Sequence, residues 1–299
     1  MILAAIDIGS NAARLLITEV TPVDDHEPIF KKLNLVRIPL RLGFDVFEKG
    51  LISEHKQEMM IQTIKGFRHL INAYKVDAVK ACATSAMRDA SNASEVLRRI
   101  EKETGLRIEV ISGDTEANLI YENHIAEHLD KDHSYIYIDV GGGSTEISFF
   151  ENGKLIFKKS FNIGTIRLLK KKVKDSQWDE LKESVKNATK GHKHVIAIGS
   201  GGNINKVHSL SKKKDGKPLP LDTLKDYYKE FVDLTLKERM DRYDLREDRA
   251  DVIVPALQIY ISIMRWAGAD DIYVPKIGLS DGLIHHLWDE IQEPETAGR

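Results

Sequence analysis

Glycine and acidic residues that could handle a phosphate stand together in one run of the chain, Asp139-Val140-Gly141-Gly142-Gly143-Ser144-Thr145-Glu146. Glycines allow the backbone to turn so that several N–H groups point to one side, which makes a cradle for phosphate oxygens. The carboxylates that flank this cradle are oxygen ligands of the kind that Mg²⁺ takes beside a phosphate. The run therefore predicts phosphate chemistry next to a metal ion. A glycine-rich hairpin with two solvated acids is the alternative interpretation of this run alone.

The segments on both sides of this glycine loop are predicted strands. Residues 135–138 before it and 147–150 after it are rich in β-branched and aromatic residues, and Asn152-Gly153 predicts a tight turn into a third strand. A dinucleotide fingerprint instead joins a strand to a helix, and a Walker loop has a Lys beside its Ser or Thr. The loop therefore matches neither of these nucleotide sites.

A second hairpin of the same design opens the chain. An apolar strand ends at Asp7, a turn with Gly9, Ser10 and Asn11 follows, and an apolar segment continues from Ala13. Two similar hairpins, each at the start of a series of strands, predict two similar domains that face each other across a cleft of phosphate size.

Six segments resemble, in order, the exopolyphosphatase/guanosine pentaphosphate phosphohydrolase family of the actin-like ATPase and sugar kinase superfamily. They are residues 7–11, 83–88, 111–117, 139–146, 199–203 and 249–253, and they cover nearly the whole chain. The resemblance implies an α/β fold of two ribonuclease H-like domains facing across a cleft. We expect these domains at residues 1–130 and 131–299, with the last helix, about residues 283–292, packed on the first domain.

The resemblance also implies the activity and its residues. Glu116 matches the family's catalytic base, and Arg88 would clamp the transferred phosphoryl group. Mg²⁺ would be the cofactor, bound at Asp139 with Glu146 and Asp7. The implied phosphate-binding residues are Ser10, Asn11, Gly141, Gly142, Gly143, Ser144, Gly201 and Gly202. For Glu116 there is a simpler interpretation, since an acid in the first turn of any helix adds about 0.3–1 kcal/mol of stability.

The implied reaction is release of the terminal phosphate from inorganic polyphosphate, with guanosine pentaphosphate as a second substrate. Longer family members carry an additional C-terminal α-helical region that extends the substrate groove, so we expect this chain to prefer short polyphosphates.

Three departures from the family pattern leave alternatives open. Ala12 stands where Ser is usual, Asn203 replaces a common Thr, and residues 278–282 differ from an Arg-Glu version of that turn. These changes leave open a non-catalytic sensor of a phosphorylated guanosine nucleotide. A kinase-like ATPase is a further alternative, although no sugar or acetate signature supports it.

Composition indicates an ordinary globular protein of 299 residues, with 42% hydrophobic residues and a net charge of −2. This charge argues against nucleic acid as a partner. The apolar stretch over residues 252–264 is too short to span a membrane. The single cysteine, Cys82, lies in an apolar run and predicts a small core residue of a cytoplasmic protein. The sequence leaves a homodimer open as the assembly, and the lysines at positions 170, 171, 172 and 174 are either solvated surface or an anion-attracting patch.

Hydrophobic periodicity places the remaining elements. Helices are predicted over residues 54–74, 94–104, 112–129, 203–210, 223–240 and 250–267, with a last helix from residue 278. Strands are predicted over residues 76–83, 107–111, 194–198 and 272–275.

Overall fold

The computed structural model describes residues 1–24, 26–121, 133–192 and 194–292, without the side chains of residues 120 and 121. The chain divides into two compact units. Unit 1 contains residues 1–123 and 279–299, and unit 2 contains residues 124–278. The part of the predicted helix beyond residue 121 and the predicted domain junction at residues 131–132 lie outside the described residues.

Unit 1 is built on a five-stranded sheet of order β3-β2-β1-β4-β5. Its strands are β1 (Ile2–Ile8), β2 (Ala13–Val23), β3 (His26–Ile38), β4 (Ala78–Ala83) and β5 (Glu109–Val110). The first three strands are antiparallel, whereas β4 runs parallel to β1 and β5 runs parallel to β4. Six of the seven residues of β1 are buried, which explains why its sequence is almost continuously apolar.

Helices pack on this sheet from both ends of the chain. They are α1 (Leu42–Lys49), α2 (Glu54–Ala73), α3 (Ser85–Asp89), α4 (Ala93–Thr104), α5 (Gly113–Tyr121) and, from the C-terminal end, α13 (Leu279–Gln292). The apolar residues that recur at helical spacing along α2 are buried, namely Met60, Ile61, Ile64, Phe67 and Ile71. Helix α13 packs against β1, β2, β4 and α5. Helix α4 ends at Gly105, whose φ of 68° is the left-handed conformation common after helices.

Unit 2 is built on a six-stranded sheet of order β10-β11-β9-β6-β7-β8. Its strands are β6 (Ser134–Val140), β7 (Thr145–Glu151), β8 (Lys154–Phe161), β9 (Val195–Ser200), β10 (Leu219–Pro220) and β11 (Asp271–Tyr273). Strands β6, β7 and β8 form an antiparallel meander, and β9 runs parallel to β6. The predicted turn at Asn152-Gly153 has positive φ angles of 51° and 73°, as a two-residue hairpin requires.

Seven helices complete the described part of unit 2. They are α6 (Thr165–Leu169), α7 (Asp175–Ala188), α8 (Gly202–Leu210), α9 (Leu221–Asp233), α10 (Leu236–Tyr243), α11 (Glu247–Ala250) and α12 (Ile253–Ala267). Helix α12 is the buried centre of the unit and packs on α6, α7, α8 and α9. Within the described residues, no helix is both long and apolar enough to cross a membrane.

The prediction of one helix over residues 223–240 is wrong. The chain leaves α9 after Asp233, and α10 begins at Leu236. Thr235 caps the new helix by accepting a hydrogen bond from the N–H of Glu238, whose carboxylate accepts one from the N–H of Thr235. This reciprocal capping box stabilises a helix start inside a continuous amphipathic pattern, so the periodicity alone concealed the break.

The two sheets repeat one design. In each, a three-stranded antiparallel meander is followed by a strand that adds in parallel to the free side of the first meander strand, β4 in unit 1 and β9 in unit 2. The loops after β1 and β6 therefore occupy the same position in their own units. Two similar hairpins in the sequence correctly predicted two similar domains.

Candidate active site

The glycine loop of unit 2 joins β6 to β7 through Gly141, Gly142, Gly143 and Ser144. The N–H of Gly141 donates to the carbonyl of Ser144 over 2.9 Å, which closes the turn. Within the part of the chain that the structure describes, no acceptor meets the N–H groups of Gly142 and Gly143. The loop therefore has the donors that an anion needs.

Helix α6 binds the carbonyl groups of this loop. The N–H of Thr165 donates to Gly141 O over 3.0 Å, and the N–H of Ile166 donates to Gly142 O over 2.8 Å. The side chain of Arg167 donates from Nε to Gly143 O over 2.6 Å. Three consecutive carbonyls thus face α6. Because N–H and C=O point in opposite directions in a trans peptide, the N–H groups of the following residues face away from α6.

Gly164 allows α6 to approach so closely. A Cβ atom at this position would lie 2.5 Å from the backbone carbons of Gly142 and Gly143. Its φ of −141° is ordinary extended backbone, so the requirement for glycine is steric and not conformational. The sequence offered no assigned role for Gly164 or Arg167, and the contact between α6 and the loop is visible only in the fold.

Asp139 and Glu146 are paired residues on neighbouring strands at the mouth of the loop. Opposed residues of antiparallel strands project to the same face of the sheet. Glu146 is buried, with 3% exposure, and accepts a hydrogen bond from the Ser160 hydroxyl over 2.8 Å. The structure thus brings together the two predicted metal-binding carboxylates of unit 2, one on each side of the glycine turn.

The second glycine loop of unit 2 follows β9, the parallel neighbour of β6. Gly201 has a φ of 117°, and a Cβ atom there would lie 3.4 Å from Oδ1 of Asp139. Gly202 begins α8, and its carbonyl accepts a hydrogen bond from the guanidinium of Arg249. The predicted residues Gly201 and Gly202 therefore lie beside the carboxylate at the end of β6.

Tyr260 is hydrogen-bonded to the start of this second loop. Its hydroxyl donates a hydrogen bond to the carbonyl of Ser200. Complete burial, and after it the negative charge of Asp139, raises the pKa of the Tyr260 phenol well above its ordinary value. The phenol therefore stays protonated and remains a hydrogen-bond donor at any physiological pH.

The loop of unit 1 that contains Ser10 and Asn11 is held in the same manner. The N–H of Gly43 donates to Ser10 O over 2.8 Å, and the N–H of Arg41 donates to Asn11 O over 2.9 Å. The buried Ser10 hydroxyl pairs with the hydroxyl of Ser85 over 2.8 Å. By the same peptide geometry, the N–H groups of Asn11 and Ala12 point away from α1. The helix α1 that holds the loop was absent from the sequence-based assignment.

Asp7 lies at the end of β1 and is 2% exposed. It accepts a hydrogen bond from Arg14, its partner on β2, over 2.7 Å. A guanidinium on one carboxylate oxygen leaves the other oxygen as an acceptor. The role of Asp7 as a metal ligand stays a prediction.

Arg88 and Glu116 form a partly buried ion pair in unit 1. Arg88 donates from one guanidinium nitrogen to Glu116 Oε2 over 3.1 Å and to the carbonyl of Ile111 over 2.8 Å. Glu116 is 8% exposed, although it lies in the first turn of α5. An acid that only stabilised the helix end would not need a partly buried arginine partner. Of the residues predicted from the sequence, this pair is brought together most directly.

Cys82 lies next to this pair but is a core residue. It is 1% exposed on β4. Burial, followed by the negative charges of Asp7 and Glu116, raises the pKa of its thiol well above the ordinary value. The thiol stays protonated, so Cys82 is not a nucleophile.

Comparison with known proteins assigns the chain to a family. The model of the Ppx/GppA phosphatase family matches residues 20–290. The chain belongs to the Ppx/GppA phosphatase family. The matched range contains both glycine loops of unit 2 and the Arg88–Glu116 pair, but it begins within β2 and leaves out β1 and the loop of Ser10 and Asn11.

Solved structures of this Ppx/GppA family have the same fold. The Ppx/GppA member from Aquifex aeolicus is 27% identical, with a TM-score of 0.75 over 98% of this chain and 99% of that one. An exopolyphosphatase from Cytophaga hutchinsonii is 25% identical, with a TM-score of 0.81 over 97% of this chain and 98% of that one. These matches confirm the predicted α/β fold with two actin-like domains.

One curated relative is much longer. The bifunctional 3-dehydroquinate synthase/phosphatase of Fusobacterium nucleatum is 29% identical over 304 residues, which cover 91% of this Ppx/GppA chain. The chain spans 44% of the length of that protein.

The Ppx/GppA chain has no preformed protein cage for a metal in the residues described here, where no group of three His, Cys, Asp or Glu side chains could hold an ion. Mg²⁺ commonly binds through one or two carboxylates and completes its coordination with substrate phosphates and water. The Asp139 and Glu146 pair beside the glycine loop fits that mode of binding.

Proposed function

We propose that this protein is a Mg²⁺-dependent phosphoanhydride hydrolase that removes the terminal phosphate of inorganic polyphosphate. The observation that carries this proposal is the glycine loop of unit 2, whose three carbonyls are bound by α6 so that its N–H groups are presented together. An exopolyphosphatase among the similar structures supports the substrate class. The backbone donors of the loop would bind the phosphate oxygens, and Gly201 and Gly202 would add a second set.

The chemistry of the hydrolysis falls to the Arg88–Glu116 pair. Glu116 would orient a water molecule and accept its proton as the water attacks the terminal phosphorus. Arg88 holds Glu116 in place and would stabilise charge on the transferred phosphoryl group. A bound Mg²⁺, held by Asp139 with Glu146 and with Asp7 as a further candidate, would neutralise charge on the phosphate oxygens.

We expect hydrolysis to require a divalent cation. We also expect the Asp139→Ala variant to lose most of the hydrolytic activity. The reason is that Asp139 lies at the mouth of the glycine loop, where a carboxylate can bind a metal ion beside the bound phosphate. Phosphate release is measured over a Mg²⁺ titration, with Asp175→Asn, an exposed acid on α7, as the matched control. Full activity in excess chelator contradicts the metal role. An unchanged Mg²⁺ dependence in Asp139→Ala contradicts the assignment to Asp139.

We further propose that short polyphosphates are preferred and that guanosine pentaphosphate is a second substrate. The glycine loop after β6 presents three consecutive N–H groups on the side away from α6, enough for one terminal phosphoryl group. Affinity for a long chain grows only with further cationic contacts along it. On a polyphosphate of defined length, we expect products of intermediate length to accumulate, resolved by gel electrophoresis. Long chains that vanish directly to phosphate contradict this preference.

Phosphate release from guanosine pentaphosphate is measured in parallel with that from polyphosphate. Tight binding of the nucleotide without release of phosphate from either compound would instead support the sensor function. If the protein is a kinase-like ATPase, it should consume a nucleoside triphosphate only when a phosphoryl acceptor is present. The three functions therefore give different results in one set of assays.

A further inference from the structure

We propose that Arg167 is a positioning residue that acts through Gly143 to aim the N–H of Ser144 at a bound phosphate. Its Nε donates to the Gly143 carbonyl over 2.6 Å. This proposal rests on the anion-binding role of the glycine loop in the proposed function. In this proposal Arg167 orients the backbone of the glycine loop and does not contact the substrate with its positive charge.

The argument follows from the order of the hydrogen bonds along the loop. Main-chain N–H groups at the start of α6 hold the first two carbonyls, at Gly141 and Gly142. The third carbonyl, at Gly143, is held by a side chain. The peptide group that joins Gly143 to Ser144 is planar, and its N–H points opposite to its carbonyl. Removing the donor on Gly143 therefore frees this one peptide to rotate.

The peptide between Gly143 and Ser144 can rotate widely because it follows a glycine. A peptide that follows glycine has few steric limits on its rotation, since the residue lacks a Cβ atom. Without the hydrogen bond from Arg167, the N–H of Ser144 would sample directions away from the phosphate. Phosphate binding would then have to fix the orientation of this peptide, and the entropy lost in doing so would lower the affinity for phosphate.

Substitutions at residue 167 can separate the donor from the charge. In Gln the side-chain nitrogen follows the Cδ atom, as Nε does in Arg, so Arg167→Gln keeps a donor for Gly143 but removes the charge. In Lys a methylene takes the place of Nε and the charge lies one bond further out. Arg167→Met removes both the donor and the charge. The three variants therefore give different orders of affinity for a positioning role and for a charge role.

The test uses the full-length protein and inorganic phosphate, which is not hydrolysed. Binding is followed by NMR through the backbone amide signals of the glycine loop, and thermal unfolding of each variant checks the fold. Loss of one hydrogen bond can change affinity by up to about tenfold. We expect Arg167→Met and Arg167→Lys to bind phosphate about tenfold more weakly, and Arg167→Gln to retain affinity within about twofold.

The phosphate-dependent shift of the Ser144 amide signal is a second readout, and a purely structural role of Arg167 would leave this shift unchanged. We expect its signal to shift strongly with phosphate in the wild type and in Arg167→Gln, and weakly in Arg167→Lys. If Lys retains affinity and Gln loses it, Arg167 acts as a charge and the proposal is wrong. Equal affinities in all four proteins also overturn it. Absence of any phosphate-dependent shift in the wild type rejects the loop as an anion site, which is a failure of the proposed function itself.

Discussion

Replacing Glu116 by Gln is expected to lower the turnover of polyphosphate by roughly 10²–10⁴-fold, which is the usual contribution of a positioned general base. The fold and the affinity for phosphate should remain, because the amide oxygen of Gln can still accept the hydrogen bond that Arg88 donates over 3.1 Å. What the variant loses is the basic carboxylate. Single-turnover phosphate release and phosphate binding, measured on the same sample, separate the two effects.

Asp114→Asn is the matched control for this variant. Asp114 lies in the same first turn of α5 as Glu116, but it is exposed. Both substitutions remove one favourable charge from the helix N-terminus, worth about 0.3–1 kcal/mol. Turnover should fall only in Glu116→Gln. If both variants keep wild-type turnover and lose a little stability, Glu116 stabilises the helix and is not the base.

Gly164→Ala is expected to abolish most of the activity by moving the glycine loop. The added Cβ would meet the backbone of Gly142 and Gly143 at 2.5 Å, where no flexible side chain can give way. Either α6 or the loop must shift, and the hydrogen bonds from Thr165 and Ile166 to the loop must lengthen. Overpacking of this kind costs roughly 1–3 kcal/mol of stability. Thermal unfolding and the amide signals of the loop, recorded with activity, report both consequences.

Gly66→Ala controls for the loss of a glycine as such. Gly66 lies within α2, and a Cβ at that position meets no atom within 4 Å. Alanine is the better helix former by roughly 0.5–1 kcal/mol, so this variant should be slightly more stable and fully active. A Gly164→Ala protein with wild-type activity would show that the close approach of α6 does not matter for the loop.

Much of the fold was determined by local sequence features. Each unit's hairpin was predicted from an apolar strand, a turn rich in Gly or Ser and a second apolar strand, and the structure contains both. The start and end of α4 and the buried stripe of α2 also followed from short-range patterns. The break between α9 and α10 was missed, because the periodicity of apolar residues continues across it while the capping box at Thr235 interrupts the helix.

For the site, the sequence by itself determined the residue types and the family. The glycine loop, the flanking carboxylates Asp139 and Glu146, and the matched pair Arg88 and Glu116 were all chosen from motifs. Their roles in metal and phosphate binding stay predictions. Motif spacing predicts which residues share a loop or a strand end, because neighbours along the chain remain neighbours in space.

Only the tertiary structure decided what holds these residues in place. Arg167 meets Gly143, Arg249 meets Gly202, and Arg88 meets Glu116 across separations of 24, 47 and 28 residues. No local pattern specifies such contacts, since they depend on how helices pack on the sheets. The direction of the loop's N–H groups depends on hydrogen bonds to its carbonyls from distant residues. The sequence determines that a glycine loop is present, and the packing of α6 determines where its N–H groups point.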